Sequence, residues 1–334
     1  MKLLLILLWA VAACAQTWVS QQSGTKASLR GVSAVNARVV WASGTGGTYL
    51  KTADGGATWT AGKVPDAEML DFRDIQAVDA QTVYLLSSGA GEKSRIYKTS
   101  DGGGHWKLQF TNPDQKGFFD AMAFWDATHG IAVGDPVDGQ FVVMTTADGG
   151  GLWERRSGPP AMPEEGAFAA SGTCLVTMGK REAWFATGGP GGARVIHSRD
   201  RGATWTIAMT PIRNDAAAAG IFSLAFSDSR HGVAVGGDYS KPENAERNVA
   251  VTSDGGRTWT EPAGQNPKGF RSAVAFLPGR KVWIAVGTSG SDISSDDGRS
   301  WKPFDNGAYN AISFVSGKAG WAVGPDGRVA AIQF

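Results

Sequence analysis

Carboxylates gather in a few glycine-rich stretches of this 334-residue sequence. Asp135 stands in GDPVDGQ (134–140), Asp238 in GGDYSKPENAERN (236–248) and Asp292 in GTSGSD (287–292). Glu164 and Glu165 lie in a longer segment, ERRSGPPAMPEEGAF, at 154–168. Two carboxyls flanking a sugar can hydrolyse a glycosidic bond. As nucleophile and acid they stand about 5–5.5 Å apart, and as base and acid about 6.5–9.5 Å. The competing reading is structural, since Asp also caps turns through backbone hydrogen bonds.

Other chemistries find no support. His105, His129, His197 and His231 show neither His-x-x-x-His nor Glu-x-x-His spacing, so no metal is expected. Strings such as Gly44-Thr45-Gly46 are turn glycines with no helix after them, so no dinucleotide cofactor is expected. A G-x-S-x-G nucleophile elbow is missing. The formal net charge is +1 and the basic residues are scattered, which argues against a nucleic-acid partner.

A third group of acids recurs in one fixed setting. TADGGATW (52–59), TSDGGGHW (99–106), TADGGGLW (146–153), SRDRGATW (198–205), TSDGGRTW (252–259) and SSDDGRSW (294–301) share a Ser/Thr-x-Asp-x-Gly-x-x-Trp box. Its acids are Asp54, Asp101, Asp148, Asp200, Asp254 and Asp296, spaced by 47, 47, 52, 54 and 42 residues. Six copies argue for a folding device. Asp can fix a turn, Gly supplies unusual backbone angles, and Trp buries a large apolar area. A calcium loop would need alternating carboxylates and a closing Glu, which the box lacks.

The period is that of a four-stranded propeller blade. Ahead of each box come two short alternating runs, the second ending in Gly (VVWASG, GIAVGD, WFATGG, GVAVGG, WIAVGT). A third runs into the box, as in TYLKT at 48–52, and the Trp opens a fourth. A seventh unit begins with AISFV at 311–315 and ends the chain at RVAAIQF without a box. Thr17-Trp18-Val19 resembles the tail of a box without its head. The sequence therefore predicts an all-β, seven-bladed β-propeller over 16–334, closed by the N-terminal strand in the last blade.

Residues 1–15, MKLLLILLWAVAACA, have the basic start, apolar run and small-residue end of a secretory signal. Two endings fit: Ala13-Cys14-Ala15 as a cleavage site leaving Gln16 first, or Val11-Ala12-Ala13-Cys14 as a lipobox leaving a lipidated Cys14. Export to the periplasm, the outer envelope or the medium is expected, with lipidation as the sole membrane link. Cys174 then has no disulfide partner and reads as a small buried hydrophobe. A monomer is expected.

The box resembles the Asp-box, or BNR repeat, found in sialidases, sortilin-type receptors and the photosystem II stability/assembly factor family. The unit SLRGVSAVNARVVWASGTGGTYLKTADGGATW at 28–59 is most similar to that last family. This resemblance, spanning Trp18 to Phe334, implies an exported propeller that binds a protein without catalysis. Sialidase activity is not implied. FRDI at 72–75 lacks the Pro of the Phe/Tyr-Arg-Ile-Pro motif, and a Tyr–Glu nucleophile pair is not evident.

Binding groups sit on loops held by a rigid scaffold, here on the face away from the boxes. Aligning the blades puts Arg30, Arg73, Asp120, Cys174, Phe222, Ser272 and Asn310 in a ring at the channel mouth. The expected binding face carries Arg30, Arg73, Asp120, Asp135, Glu165, Asp238, Tyr239, Arg271 and Asp292. Arg271 lies one residue off the ring position. Mixed charge and a tyrosine suit a protein or a polar ligand such as a polysaccharide. A carbohydrate-active hydrolase or lyase using paired acids of that face is the alternative.

Overall fold

The computed structural model describes residues 16–334 apart from 316 and 318. The signal-like segment 1–15, with both readings of its end, lies outside the described residues. The short alternating runs form seven antiparallel sheets arranged as the blades of a propeller. In blade 1 the strands Leu29–Ala34, Val40–Gly44, Thr48–Thr52 and Thr60–Lys63 pair in chain order. The inner strands of the later blades are Phe72–Ala77, Phe119–Phe124, Leu175–Met178, Ala219–Phe226, Ala273–Leu277 and Ala311–Val315.

The last blade is closed from the other terminus. Thr17–Gln21 pairs with Val329–Gln333, Trp18 opposite Ile332. The Trp18 ring packs with Ile284 and Val286 of the sixth blade, and its indole N–H donates to Ser291 Oγ at 3.0 Å. Closure hides the sheet edge that an open ring would present.

Blade 5 departs from the expected four strands. Its ladder holds three, and the outer segment is reduced to a bridge between Val251 and Thr260. Pro262 follows two residues later and has no N–H to continue the pairing.

All six boxes make the same turn. Thr52 Oγ1 donates to Asp54 Oδ1 (2.8 Å) and accepts the Gly56 N–H (2.9 Å), and Asp54 Oδ1 accepts the Thr58 N–H (2.9 Å). The pattern repeats at Asp101, Asp148, Asp200, Asp254 and Asp296. Gly56 holds φ at 90°, a region that side chains resist.

Three of these turns are also held by an aromatic side chain of the blade before them. Tyr49, Tyr84 and Trp184 donate to the carbonyls of Gly103 (3.1 Å), Gly149 (2.7 Å) and Gly255 (3.0 Å). The box tryptophans fill the seams between blades, Trp106 edge-on to Trp41 and Trp301 against Val233, Val235 and Val249. The core is thus a set of clusters between neighbouring sheets, which locks the ring into one rigid frame.

Candidate functional site at the channel mouth

Four inner strands slip register at the same level. The slips fall at Arg30, Arg73, Asp120 and Phe222, each left without a ladder partner. A bulge frees one residue from the ladder and re-aims its side chain. These four, with Ser272 and Asn310, line a cavity of about 480 Å³ at one end of the channel. Six of the seven expected ring residues therefore meet there.

Cys174, the seventh, does not reach it and is fully buried. The loop ahead of blade 4 takes its place. Ala169 offers its carbonyl to Arg30 Nη2 (3.5 Å) and Arg73 Nη1 (3.3 Å), across the channel. Ser171 Oγ donates to the Ser272 carbonyl (2.9 Å), and Phe168 stacks on Phe222 at 3.9 Å. Residues 167–172 thus cross the mouth as a plug.

One side of the cavity is charged. Arg73 Nε donates to Asp71 Oδ2 at 2.7 Å, while Arg30 Nε is buried with no hydrogen-bond partner. Burial and then the Arg73 charge lower the Arg30 pKa, against Asp71. Asp120 is 1% exposed and both its oxygens lack a hydrogen-bond partner. Burial, then the Asp135 charge, push its pKa well above the carboxylate range, with Arg73 opposing. Asp135 accepts the Ala167 N–H on Oδ1 (3.0 Å), and burial raises its pKa too. Deeper down, Asp74 accepts the N–H groups of Ile75 and Met122, both at 2.7 Å, and burial still lifts its pKa to about 7.

The other side is aromatic. Phe270 meets Phe222 edge-on at 4.7 Å. Tyr239 stands edge-on to Phe222 (6.0 Å) and Phe168 (6.5 Å), and 55% of it is exposed. Phe118, Phe168 and Phe270 were not anticipated from sequence. A signal existed: Phe118, Phe168 and Phe270 lie in the loops that enter the inner strands of blades 3, 4 and 6, and Phe222 on the inner strand of blade 5.

The remaining candidates lie off the mouth. Arg271 is buried and ion-paired with Asp292 at 2.5 Å, and it also donates to the Phe270 and Lys268 carbonyls. Its one-residue offset from the ring turns it into the wall. Glu165 accepts from Arg194 Nε (2.7 Å), Thr187 Oγ1 (2.6 Å) and the Met162 N–H (2.8 Å), so its oxygens are spent holding the loop. Asp238 is buried and accepts the Ser240 N–H and hydroxyl on Oδ1. Of Asp135, Glu165, Asp238 and Asp292, the acids available to a hydrolase, Asp135 alone lines the mouth cavity. A groove of about 560 Å³ adjoins it, sharing Asp135, Ala167 and Phe168 and running past Met162 and Glu165.

Fold and mouth together define a seven-bladed propeller whose bulged inner strands present a charged and aromatic cavity opposite the turns of the boxes. Among solved structures it is similar to "YCF48 bound to D1 peptide" (17% identity, TM-score 0.66, covering 94% of this chain and 96% of that one). It is also similar to YCF48 from Cyanidioschyzon merolae (17%, TM-score 0.63, 94% and 98%) and to U3-55K (15%, TM-score 0.67, 96% and 99%). No family model matches the chain, and no curated protein matches it. At these identities the likeness establishes the propeller fold.

Proposed function

We propose that this chain is an exported, non-catalytic binding propeller of the assembly-factor kind, which takes a protein partner on its channel-mouth face. The observation that carries the reading is the juxtaposition of exposed Tyr239 and the Phe168–Phe222–Phe270 wall with Arg30 and Arg73 in one cavity. Aromatic and arginine anchors in a concave site are the usual centre of a protein interface. Around it the same face exposes Met69, Met162 and Met209, whose pliable side chains suit docking. The similar structure of YCF48 holds a peptide, which supports the reading by analogy.

The six boxes are read as Asp-box (BNR) repeats with a structural task, and residues 1–15 as the export signal. A photoreactive residue at Tyr239 should crosslink a protein in envelope extract, and one at Leu152, in the third box, should not. Crosslinking from Leu152 alone would refute the reading. The mass of the mature chain tests export: it should begin at Gln16, or at a lipidated Cys14. An intact Met1 in the cytoplasm would end that part.

A further inference from the structure

Asp120 and Asp135, which line the mouth cavity, hold unspent hydrogen-bond-accepting capacity. Both Asp120 oxygens are buried without a partner, and Asp135 commits one oxygen to the Ala167 N–H. The N–H groups of Ala169 and Asp135 lie near Asp120 and favour its ionised form, but neither reaches hydrogen-bond geometry. Arg73 is near too, yet its Nε is held by Asp71 and its Nη1 by the Ala169 carbonyl. A buried acid left this way costs stability, and an occupant that brings hydrogen-bond donors would offset that cost. Among the described residues no group of three or more His, Cys, Asp or Glu is placed to hold a metal ion. The donor set therefore suits an organic cation, which needs acceptors and no fixed coordination number.

We infer that the acidic end of the mouth receives a lysine ammonium or arginine guanidinium, carried by an extended segment of the protein partner. The inference rests on the protein-binding reading above and names the partner's chemistry. The adjoining groove shares Asp135, Ala167 and Phe168 with the cavity, so a chain lying in it can place one side chain against the two acids. The aromatic wall covers the apolar stem of that side chain and attracts its charge.

Binding is coupled to a proton. In the free protein burial, then the Asp135 charge, favour the neutral form of Asp120. The groups facing it are Asp135 from the second strand of blade 3, Arg73 from blade 2 and Cys174 from the start of blade 4, with Asp74 below. An incoming cation favours the carboxylate, so the Asp120 proton leaves to solvent. Affinity then rises with pH until Asp120 ionises in the free protein.

The test uses the peptides Ac-Gly-Phe-Lys-Gly-NH2 and its norleucine counterpart, titrated calorimetrically into the full mature chain. The lysine peptide should bind about tenfold tighter or more, the worth of one charge-assisted hydrogen bond. Its heat at fixed pH should differ between buffers of unequal ionisation enthalpy, and the norleucine peptide's should not. Asp120→Asn should remove both differences with an unchanged melting temperature. If that variant fails to fold, Asp135→Asn should lower the lysine preference in the same direction. Equal binding of the two peptides, no binding of either, or an unaltered preference in the variants overturns the inference. Crosslinking from Tyr239 does not depend on these acids. If it persists in that event, the protein-binding reading stands alone, and if it is lost both fall.

Discussion

Acids do three different jobs in this chain, and single substitutions should separate them. Asp254 holds a turn through Thr258 N–H (3.0 Å), Thr258 Oγ1 (2.7 Å) and Arg257 N–H (3.0 Å). Asp254→Ala should cost roughly 1–3 kcal/mol in chemical unfolding and leave partner binding intact. Asp292 balances the buried Arg271, so Asp292→Ala strands a charge and should cost about 3–5 kcal/mol. A smaller loss there than at Asp254 would show that water reaches the pair. Asp74 and His197 should shape the pH dependence. Burial holds Asp74 near 7, above its unfolded value of about 3.9, so its contribution is full below about pH 3.9 and is lost as pH rises through 7. His197, stacked on Trp184, is held at about 4 by burial, then by Arg199 and Arg257. Its contribution is present above about pH 6.5 and is lost as pH falls toward 4. Melting temperatures across pH 4–8 should show both effects in the same window with opposite sign: Asp74→Asn removes a loss that grows as pH rises from about 4 to 7, and His197→Gln removes one that grows as pH falls from about 6.5 to 4. A parent-like slope in either variant would remove that group from the account.

Strands are held by what adjoins them, and the closing strand shows this most directly. Trp18 is buried between the sixth and seventh blades, so Trp18→Ala should cost about 3–5 kcal/mol. Removing residues 17–21 should go further, because Val329–Gln333 becomes an open edge. Light scattering should then detect oligomers, and a monomeric truncated chain would mean that the edge is covered in another way. This closure was legible in the sequence because it rests on local pattern: a box tail at Thr17-Trp18-Val19 and a missing box after Phe334. The strand count was legible for the same reason, with blade 5 the exception that Pro262 explains. The bulges were not legible. Arg30, Arg73 and Asp120 read like any strand start, and their slips appear only when the second strand is in register against them. Nor was the plug, because residues 167–172 are placed by partners in blades 1, 2, 5 and 6 that no local spacing encodes. The one-residue offset of Arg271 from the ring position was legible, but not its consequence, the buried pair with Asp292 that sends it into the wall.

At the scale of the molecule the ring has two unlike ends. The box end is a set of self-satisfied turns: each Asp is bonded within its own hairpin, and the turns at Gly103, Gly149 and Gly255 are clasped by the blade before them. The mouth end leaves Arg30 Nε and the Asp120 carboxyl without partners and exposes Tyr239. Stability and recognition are thereby placed at opposite faces, and changes at one should not disturb the other. Arg73→Ala with Tyr239→Ala should weaken partner binding by about tenfold or more, since both anchors lie in the cavity. The melting temperature should move little, because Tyr239 is largely exposed and Arg73 makes an ion pair with a partly exposed Asp71 and one 3.3 Å bond to the Ala169 carbonyl. Arg257→Ala with Arg299→Ala, exposed on the box turns, is the matched control and should leave binding within about twofold. Both pairs remove two side chains and at least one positive charge, so a general electrostatic attraction would respond to each. If the box-face pair weakens binding and the mouth pair does not, the recognising face is the other one.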